Sequence, residues 1–88
     1  VNKVDISGIY PNPANEKANI DFTLTASGNI TIDIYNVFGQ LVANVYDSFI
    51  NDGFNSININ TKDLPTGAYF ITLRTANESV TKQLNVIR

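Results

Sequence analysis

The residues of this 88-residue chain that could carry out chemistry are mostly carboxylates. The chain has no histidine and no cysteine, so it lacks the most common general base and the Ser/His and Cys/His nucleophile pairs. Asp21 and Asp33 both fall on the outward parity of predicted strands. If those strands pair, the two carboxyl groups could approach one another as glycoside hydrolysis requires. The default interpretation is that they are solvated positions on an outer face.

A second polar group, Asp47, Asn51 and Asp52, surrounds a predicted turn. Calcium prefers several carboxylate and carbonyl oxygens from a short loop. The spacing does not follow the calcium-binding helix–loop–helix pattern, and Asn-Asp-Gly is explained by turn geometry alone. We therefore expect no catalytic residues, no metal and no cofactor, and we interpret the chain as a non-catalytic domain.

Charge and length exclude further classes of function. Six basic and eight acidic residues give a net charge of −2, without the basic stripe that indicates nucleic-acid binding or attraction to an anionic membrane. No apolar run approaches the roughly 20 residues of a membrane-spanning helix. The length predicts one domain, residues 1–88. Because the chain begins at Val1 and contains no methionine, we expect it to be a fragment of a longer protein.

Alternation of apolar and polar residues predicts the elements that position these side chains. Period two recurs along the chain, and sustained helical spacing does not. About seven strands in a small antiparallel β-sandwich are predicted. Their apolar positions are Val4 and Ile6; Ile20, Phe22 and Leu24; Ile30, Ile32 and Ile34; residues 41–46; Ile57 and Ile59; Tyr69, Ile71 and Leu73; Val80, Leu84 and Val86.

Three further segments carry turn signals. Pro11 and Pro13 must end the first strand, because proline fixes φ and lacks an N–H. They leave Asn12 in a stiff corner where its side chain can bond nearby backbone. Residues 26–29 predict a hairpin loop, and residues 36–40 suit a type I turn closed by a left-handed Gly39.

A fourth turn lies before the sixth predicted strand. Leu64-Pro65-Thr66-Gly67 fits a type I turn, and Tyr69 follows at the start of a strand. This placement resembles the tyrosine corner of Greek-key sandwiches. We predict that Tyr69 is mostly buried and that its hydroxyl bonds to backbone near residues 62–64.

Taken in order, these motifs resemble the type-A C-terminal sorting domain of the type IX secretion system of Bacteroidetes-type bacteria. The resemblance extends from about Tyr10 to Arg88. It implies an all-β, immunoglobulin-like, Greek-key sandwich. The segments that carry it are Tyr10-Pro11-Asn12-Pro13-Ala14-Asn15, residues 32–42, Leu64-Pro65-Thr66-Gly67-Ala68-Tyr69-Phe70 and the final strand with Lys82.

The resemblance also implies a function. Such domains end large secreted enzymes and adhesins, direct this cargo through an outer-membrane translocon, and are commonly removed by a cell-surface sortase. The implied location is the cell surface or medium of a Gram-negative bacterium, reached through the periplasm. The residues that match the family's fold-defining motifs are Pro11, Asn12, Pro13, Gly39, Pro65, Gly67 and Tyr69.

The final strand, residues 79–87, is predicted to lie at or near a sheet edge. Free backbone groups there could be bound by a partner through β-augmentation, and an open edge also permits a homodimer. Lys82 matches the family's basic residue, whereas Gln83 stands where a second lysine is often seen. Lys82 is equally well explained as a lysine that snorkels at the rim. The proposed recognition residues are Lys82, Leu84, Val86 and Arg88.

An alternative function is a carbohydrate-binding or spacer sandwich of a secreted glycoside hydrolase. It predicts a row of aromatic residues on one outer face. The competing interpretation places most aromatic side chains in the core or at its ends, and Phe38, Phe49 and Phe70 could instead form an apolar partner surface. The candidate residues are Tyr10, Tyr35, Phe38, Tyr46, Phe49, Phe54 and Phe70.

Overall fold

Seven strands and short connections account for the fold in the computed structural model, which describes residues 4–12, 14, 16–76 and 78–87. No helix occurs among these residues, as the period-two pattern predicts. The strands are β1 (Val4–Tyr10), β2 (Lys17–Leu24), β3 (Gly28–Asn36), β4 (Leu41–Ile50), β5 (Gly53–Asn60), β6 (Gly67–Arg74) and β7 (Ser79–Val86).

The strands form two antiparallel sheets. The first sheet has the order β1-β2-β5 and the second has the order β4-β3-β6-β7. The chain changes sheet between β2 and β3, between β4 and β5, and between β5 and β6. The predicted all-β, immunoglobulin-like, Greek-key sandwich is therefore confirmed, and β7 is an edge strand as expected.

One turn prediction is wrong. Residues 26–29 do not form a hairpin loop, because β2 pairs with β1 and β5 while β3 pairs with β4 and β6. The connection from Leu24 to Gly28 crosses from one sheet to the other. Turn residues indicate that the chain reverses, but they carry no information about which sheet the next strand joins.

The core lies between the sheets and consists of the inward-facing residues of both. Phe22 and Ile20 of β2 and Ile32 and Ile34 of β3 belong to it, and all four are fully buried. Burial of such side chains contributes about 1.5–3 kcal/mol each. The other buried apolar residues are Val4, Ile6, Ala14, Ala18, Leu24, Ile30, Ile59, Tyr69, Ile71, Leu73, Leu84 and Val86.

Candidate functional site

Sequence motifs that are far apart along the chain meet at one end of the second sheet. Asn36 of β3 is opposite Tyr69 of β6, and Tyr69 is opposite Leu84 of β7. Val86 is paired on one side with Gly67 and on the other with Ala14. We call this the motif end, and it comprises Ala14 and residues 36–40, 65–69 and 84–87.

The proline segment forms a clasp on β7. After the cis Tyr10–Pro11 peptide, the chain leaves the first sheet. The Asn12 Nδ2 atom then donates to the Gln83 carbonyl (3.4 Å), and the Asn12 Oδ1 atom accepts from the Asn85 N–H (3.0 Å). The side chain of Asn12 does bond backbone, but its partners lie 71 and 73 residues away rather than nearby in sequence.

Ala14 completes the clasp. Its N–H donates to the Asn85 carbonyl and its own carbonyl accepts from the Ile87 N–H, both at 2.8 Å. Asn12 and Ala14 together therefore cover the outer edge of β7 from residue 83 to residue 87. Pro13 lies outside the described residues.

Tyr69 forms the predicted corner with a different partner. Its side chain is buried, at 6% exposure, and its hydroxyl donates to the Pro65 carbonyl at 2.7 Å. Burial and a hydroxyl bond to the backbone just upstream are confirmed, and the acceptor lies one residue beyond the predicted residues 62–64. The ring passes over Gly67, where an added Cβ would lie 3.9 Å from the Tyr69 Cε2 atom, and the hydroxyl reaches the carbonyl four residues back. The Leu64 N–H bonds instead to the Thr61 carbonyl (3.1 Å).

The hairpin between β3 and β4 is the predicted one. The Gly39 N–H donates to the Asn36 carbonyl at 3.0 Å, and Gly39 has a φ of 80°, a left-handed conformation that favours glycine. The Asn36 Oδ1 atom accepts from the N–H groups of Phe38 (2.9 Å) and Gln40 (3.0 Å). The turn leaves the Phe38 side chain 84% exposed at the motif end.

The other half of the β7 edge is open. Along an antiparallel strand, the backbone N–H and C=O groups of every second residue point to the same side. The groups of Asn85 and Ile87 point away from β6 and bind the clasp, so those of Ser79, Thr81 and Gln83 also point away from β6. Among the described residues, no backbone group pairs with Ser79, with Thr81 or with the Gln83 N–H on that side. We call these outward groups the open rim.

Lys82 lies beside the open rim. It is opposite the buried Ile71, but its position on an edge strand leaves its side chain exposed. It lines a groove of about 220 Å³ between β1 and β7, with Ile6, Ile9 and Asn12 among the other lining residues. The ion pair found within the described part of the chain joins Arg74 to Asp33, so Lys82 has no ion-pair partner there. A rim lysine of this kind covers apolar surface with its stem and keeps its ammonium group in solvent.

The remaining proposed recognition residues differ in position. Leu84 and Val86 are buried, at 0% and 1% exposure, so their side chains hold β7 against the core and do not face a partner of the folded domain. Arg88 lies outside the described residues. A recognition role for these positions stays a prediction.

The two carboxylates considered for catalysis do not meet. Asp21 lies on the outer face of the first sheet, opposite Gly8 and Ser56, whereas Asp33 lies on the outer face of the second sheet, opposite Thr72. The condition for their approach is not met, because β2 and β3 belong to different sheets and do not pair. The whole sandwich separates the two carboxyl groups.

Asp33 instead belongs to a structural network that the sequence analysis missed. It is 7% exposed, accepts from the Asn44 Nδ2 atom (2.7 Å) and forms an ion pair with Arg74 (3.1 Å). The guanidinium also donates to the Tyr35 hydroxyl (2.9 Å) and lies 5.7 Å from the centre of that ring. The pKa of Arg74 is raised above its ordinary value, first by Tyr35 and then by the charge of Asp33. The sequence held one signal for this network: Asp33 and Arg74 both occupy outward positions of their strands, and these strands are neighbours in the second sheet.

Asp52 and Asn51, at the β4–β5 turn, are engaged in hydrogen bonds, whereas Asp47 lies on β4 opposite Thr31 of β3. The Asp52 N–H donates to the Ser27 Oγ atom (2.9 Å), and that hydroxyl donates to the Asp52 Oδ1 atom (3.3 Å). The Asn51 carbonyl accepts from Asn55 (2.9 Å). In the part of the chain that the structure describes, no group of three or more acidic, histidine or cysteine residues is placed to hold a metal ion.

Exposed aromatic residues lie on different surfaces and not in a row. Tyr10 and Phe54 are at diagonally opposite corners of the outer face of the first sheet, four register positions apart, which corresponds to roughly 16 Å. Phe38 and Phe49 lie at opposite ends of β4 and do not form one patch. Phe70, Tyr35 and Tyr46 are half-buried.

Comparison with known proteins matches one family model and several solved structures. The family model described as the secretion system C-terminal sorting domain matches residues 8–87. The chain is similar to dimeric latent PorU from Porphyromonas gingivalis, at 16% identity and a TM-score of 0.77 over 99% of this chain and 9% of that chain. It is also similar to a β-glucosidase from Kluyveromyces marxianus in complex with glucose, at 12% identity and a TM-score of 0.69 over 100% and 14%.

These two likenesses show the fold alone, because both identities are low and the chain spans only 9% and 14% of the lengths of the chains that it matches. No curated protein is detectably similar to the chain. A search of the described residues for a helix long and apolar enough to cross a membrane finds none.

Proposed function

The chain belongs to the secretion system C-terminal sorting domain family, and we propose that it is the folded signal that takes a larger cargo protein through the type IX secretion system. Domains of this family mark proteins for the cell surface or beyond. We propose that residues 1–88 form one such domain of a longer protein, and that the domain is a substrate of the secretion machinery with no catalysis of its own.

The family match over residues 8–87 is the observation that carries this proposal. The structure adds a physical reason for a signal that covers a whole domain. Asn12, Gly39, Pro65 and Tyr69 are separated along the chain, yet they meet near one end of the second sheet, where Asn12 bonds β7 and Tyr69 lies opposite Leu84 of β7. Only the folded domain brings these parts together, so a partner that binds there recognises a fold and not a short peptide.

The proposed partners are the outer-membrane translocon and a cell-surface sortase. The translocon would bind the domain while it is attached to its cargo, and the sortase would then remove it. The edge strand β7 supports a recognition role because unpaired backbone groups at an edge can accept a partner strand. Pairing of two copies through an edge strand stays a prediction.

A secretion assay tests the proposal. A fluorescent reporter with an inner-membrane export signal is fused to the N-terminus of the chain and expressed in a bacterium with a working type IX system. We expect the reporter at the cell surface and in the medium, and we expect it to remain in the periplasm when residues 82–88 are deleted or the translocon is absent. Export that survives removal of the whole domain would contradict the proposal.

Lysine substitutions refine the same assay. Lys82→Gln removes the charge beside the open rim, and Lys17→Gln removes a similarly exposed charge on the first sheet. We expect the first substitution to reduce export and the second to leave it unchanged. Mass spectrometry of the exported reporter then tests removal of the domain, since a reporter that keeps all of residues 1–88 would rule out a sortase step.

A further inference from the structure

Strand β7 combines an open backbone edge with an unpaired positive charge. We propose that an extended segment of a partner protein adds to the second sheet along the open rim and places a glutamate side chain in the groove beside Lys82. The proposal rests on the proposed function, because it names the chemistry of the partner segment that would bind this domain.

The open rim has the length and regularity that a partner strand needs. It extends over residues 79–83, about 17 Å of strand, and the pairing of β7 with β6 has no shift in register. The clasp occupies the next positions, where the Asn85 N–H already bonds Asn12. A partner strand can therefore form a few backbone hydrogen bonds with Ser79, Thr81 and Gln83, and must end at the clasp.

The groove beside the rim explains the preference for an acidic side chain. Lys82 is its single ionisable lining residue among those described, and no carboxylate lines it. Its volume of about 220 Å³ has room for one long side chain. The apolar stem of a glutamate can lie against Ile6 and Ile9, with its carboxylate at the Lys82 ammonium group. Because no carboxylate lines this groove, the Lys82 ammonium group attracts an acidic side chain without competition from a lining residue.

The edge strands β4 and β5 lack this combination. The pairing of β4 with β3 has two register shifts, and such bulges hinder the addition of another strand. Strand β5 is regular, but the groove beside it is lined by Glu16 as well as by Lys17 and Lys62, so it already contains a carboxylate. Strand β5 therefore serves as an internal comparison in the experiment.

Synthetic peptides test the proposal on the whole 88-residue chain. The probe is a nine-residue peptide of alternating threonine and valine with a central glutamate, and its matched control carries glutamine. Titration into ¹⁵N-labelled protein is followed by NMR. We expect the amide signals of Thr81 and Gln83 to shift, and we expect the glutamine peptide to bind about two- to fivefold more weakly, the range for an exposed ion pair. In the Lys82→Gln variant the two peptides should bind equally.

Two N-methylated peptides test the backbone pairing without any change to the protein. Methyl groups on the amides that face β7 remove the donors for the rim, whereas methyl groups on the alternate amides do not. We expect the first peptide to lose at least about tenfold in affinity, equivalent to roughly two ordinary hydrogen bonds, and the second to bind as the parent does.

Each outcome decides a part of the proposal. Equal binding of the two methylated peptides, or signal changes confined to β4 or β5, would overturn strand addition at β7. Equal binding of the glutamate and glutamine peptides would overturn the acidic preference. If no peptide binds at millimolar concentration while the reporter still needs the chain for export, the rim proposal is wrong and the sorting function stands.

Discussion

The clasp on β7 can be tested by removing one side chain, in the substitution Asn12→Ala. Asn12 contributes two hydrogen bonds that join the first strand's exit to the last strand. Alanine removes both of them and leaves the backbone of the segment intact, so that Ala14 can still bond Asn85 and Ile87. The substitution therefore weakens the clasp without deleting it.

The magnitude follows from the geometry of the two bonds. The bond from the Asn85 N–H has a length of 3.0 Å and is worth about 0.5–1.5 kcal/mol as a net contribution to stability. The 3.4 Å contact with the Gln83 carbonyl is long and contributes less. We expect Asn12→Ala to lower the free energy of unfolding by about 1–1.5 kcal/mol. For a domain of this size, this corresponds to a fall in Tm of roughly 5–10 °C.

Two measurements check this expectation. Urea unfolding gives the change in free energy. Amide hydrogen exchange gives its location, because loss of the Asn12 acceptor should speed exchange at Asn85 by local opening. Exchange at Ile71, in the middle of the second sheet, should change only as much as global stability changes. Asn29→Ala is the matched control, since Asn29 is exposed on β3 and far from the clasp.

The reasoning would be refuted by one pattern of results. If Asn12→Ala and Asn29→Ala change stability by the same amount, and exchange at Asn85 is unaltered, the Asn12 bonds do not hold β7. The control itself should stay within about 0.5 kcal/mol of the parent chain.

Three further substitutions test other parts of the structure. Tyr69→Phe keeps the ring but leaves a carbonyl acceptor without its partner, so stability in urea unfolding should fall by about 1–2 kcal/mol; an unchanged midpoint would argue against the corner. Gly39→Ala should cost about 1–2 kcal/mol because of the left-handed backbone, while Gly28→Ala, which also meets open space but lacks a positive φ, should cost clearly less; equal losses would argue against backbone strain. The pKa of Tyr10 is raised, first by a hydrogen bond with Asp21. The interaction of the neutral Tyr10 hydroxyl should therefore stabilise the fold at pH values below the ordinary tyrosine pKa. This stabilisation should be lost as pH rises through the raised pKa. Ultraviolet titration should show this ionisation move to lower pH in Asp21→Asn, and no movement would contradict the assignment.

Much of the fold could be predicted because alternation is a local property. Ile32 and Ile34 are inward and Thr31 is outward whatever the topology, since successive side chains of a strand point to opposite faces. The edge position of β7 and the burial of Tyr69 were also predicted correctly. Asp33 shows the limit of parity, because an outward position became buried once Arg74 and Asn44 covered it.

The features of the candidate site also separate into those that the sequence predicts and those that depend on the tertiary structure. The sequence alone determined which residues face inward, where the chain must turn, and which family the ordered motifs indicate, because each depends on neighbours a few positions apart. Only the tertiary structure decided that β2 and β3 lie in different sheets, that Asn12 bonds Gln83 and Asn85, and that half of the β7 edge stays open. Hydrogen-bond partners more than 70 residues apart are set by the stacking of the sheets, which a period of two residues does not encode.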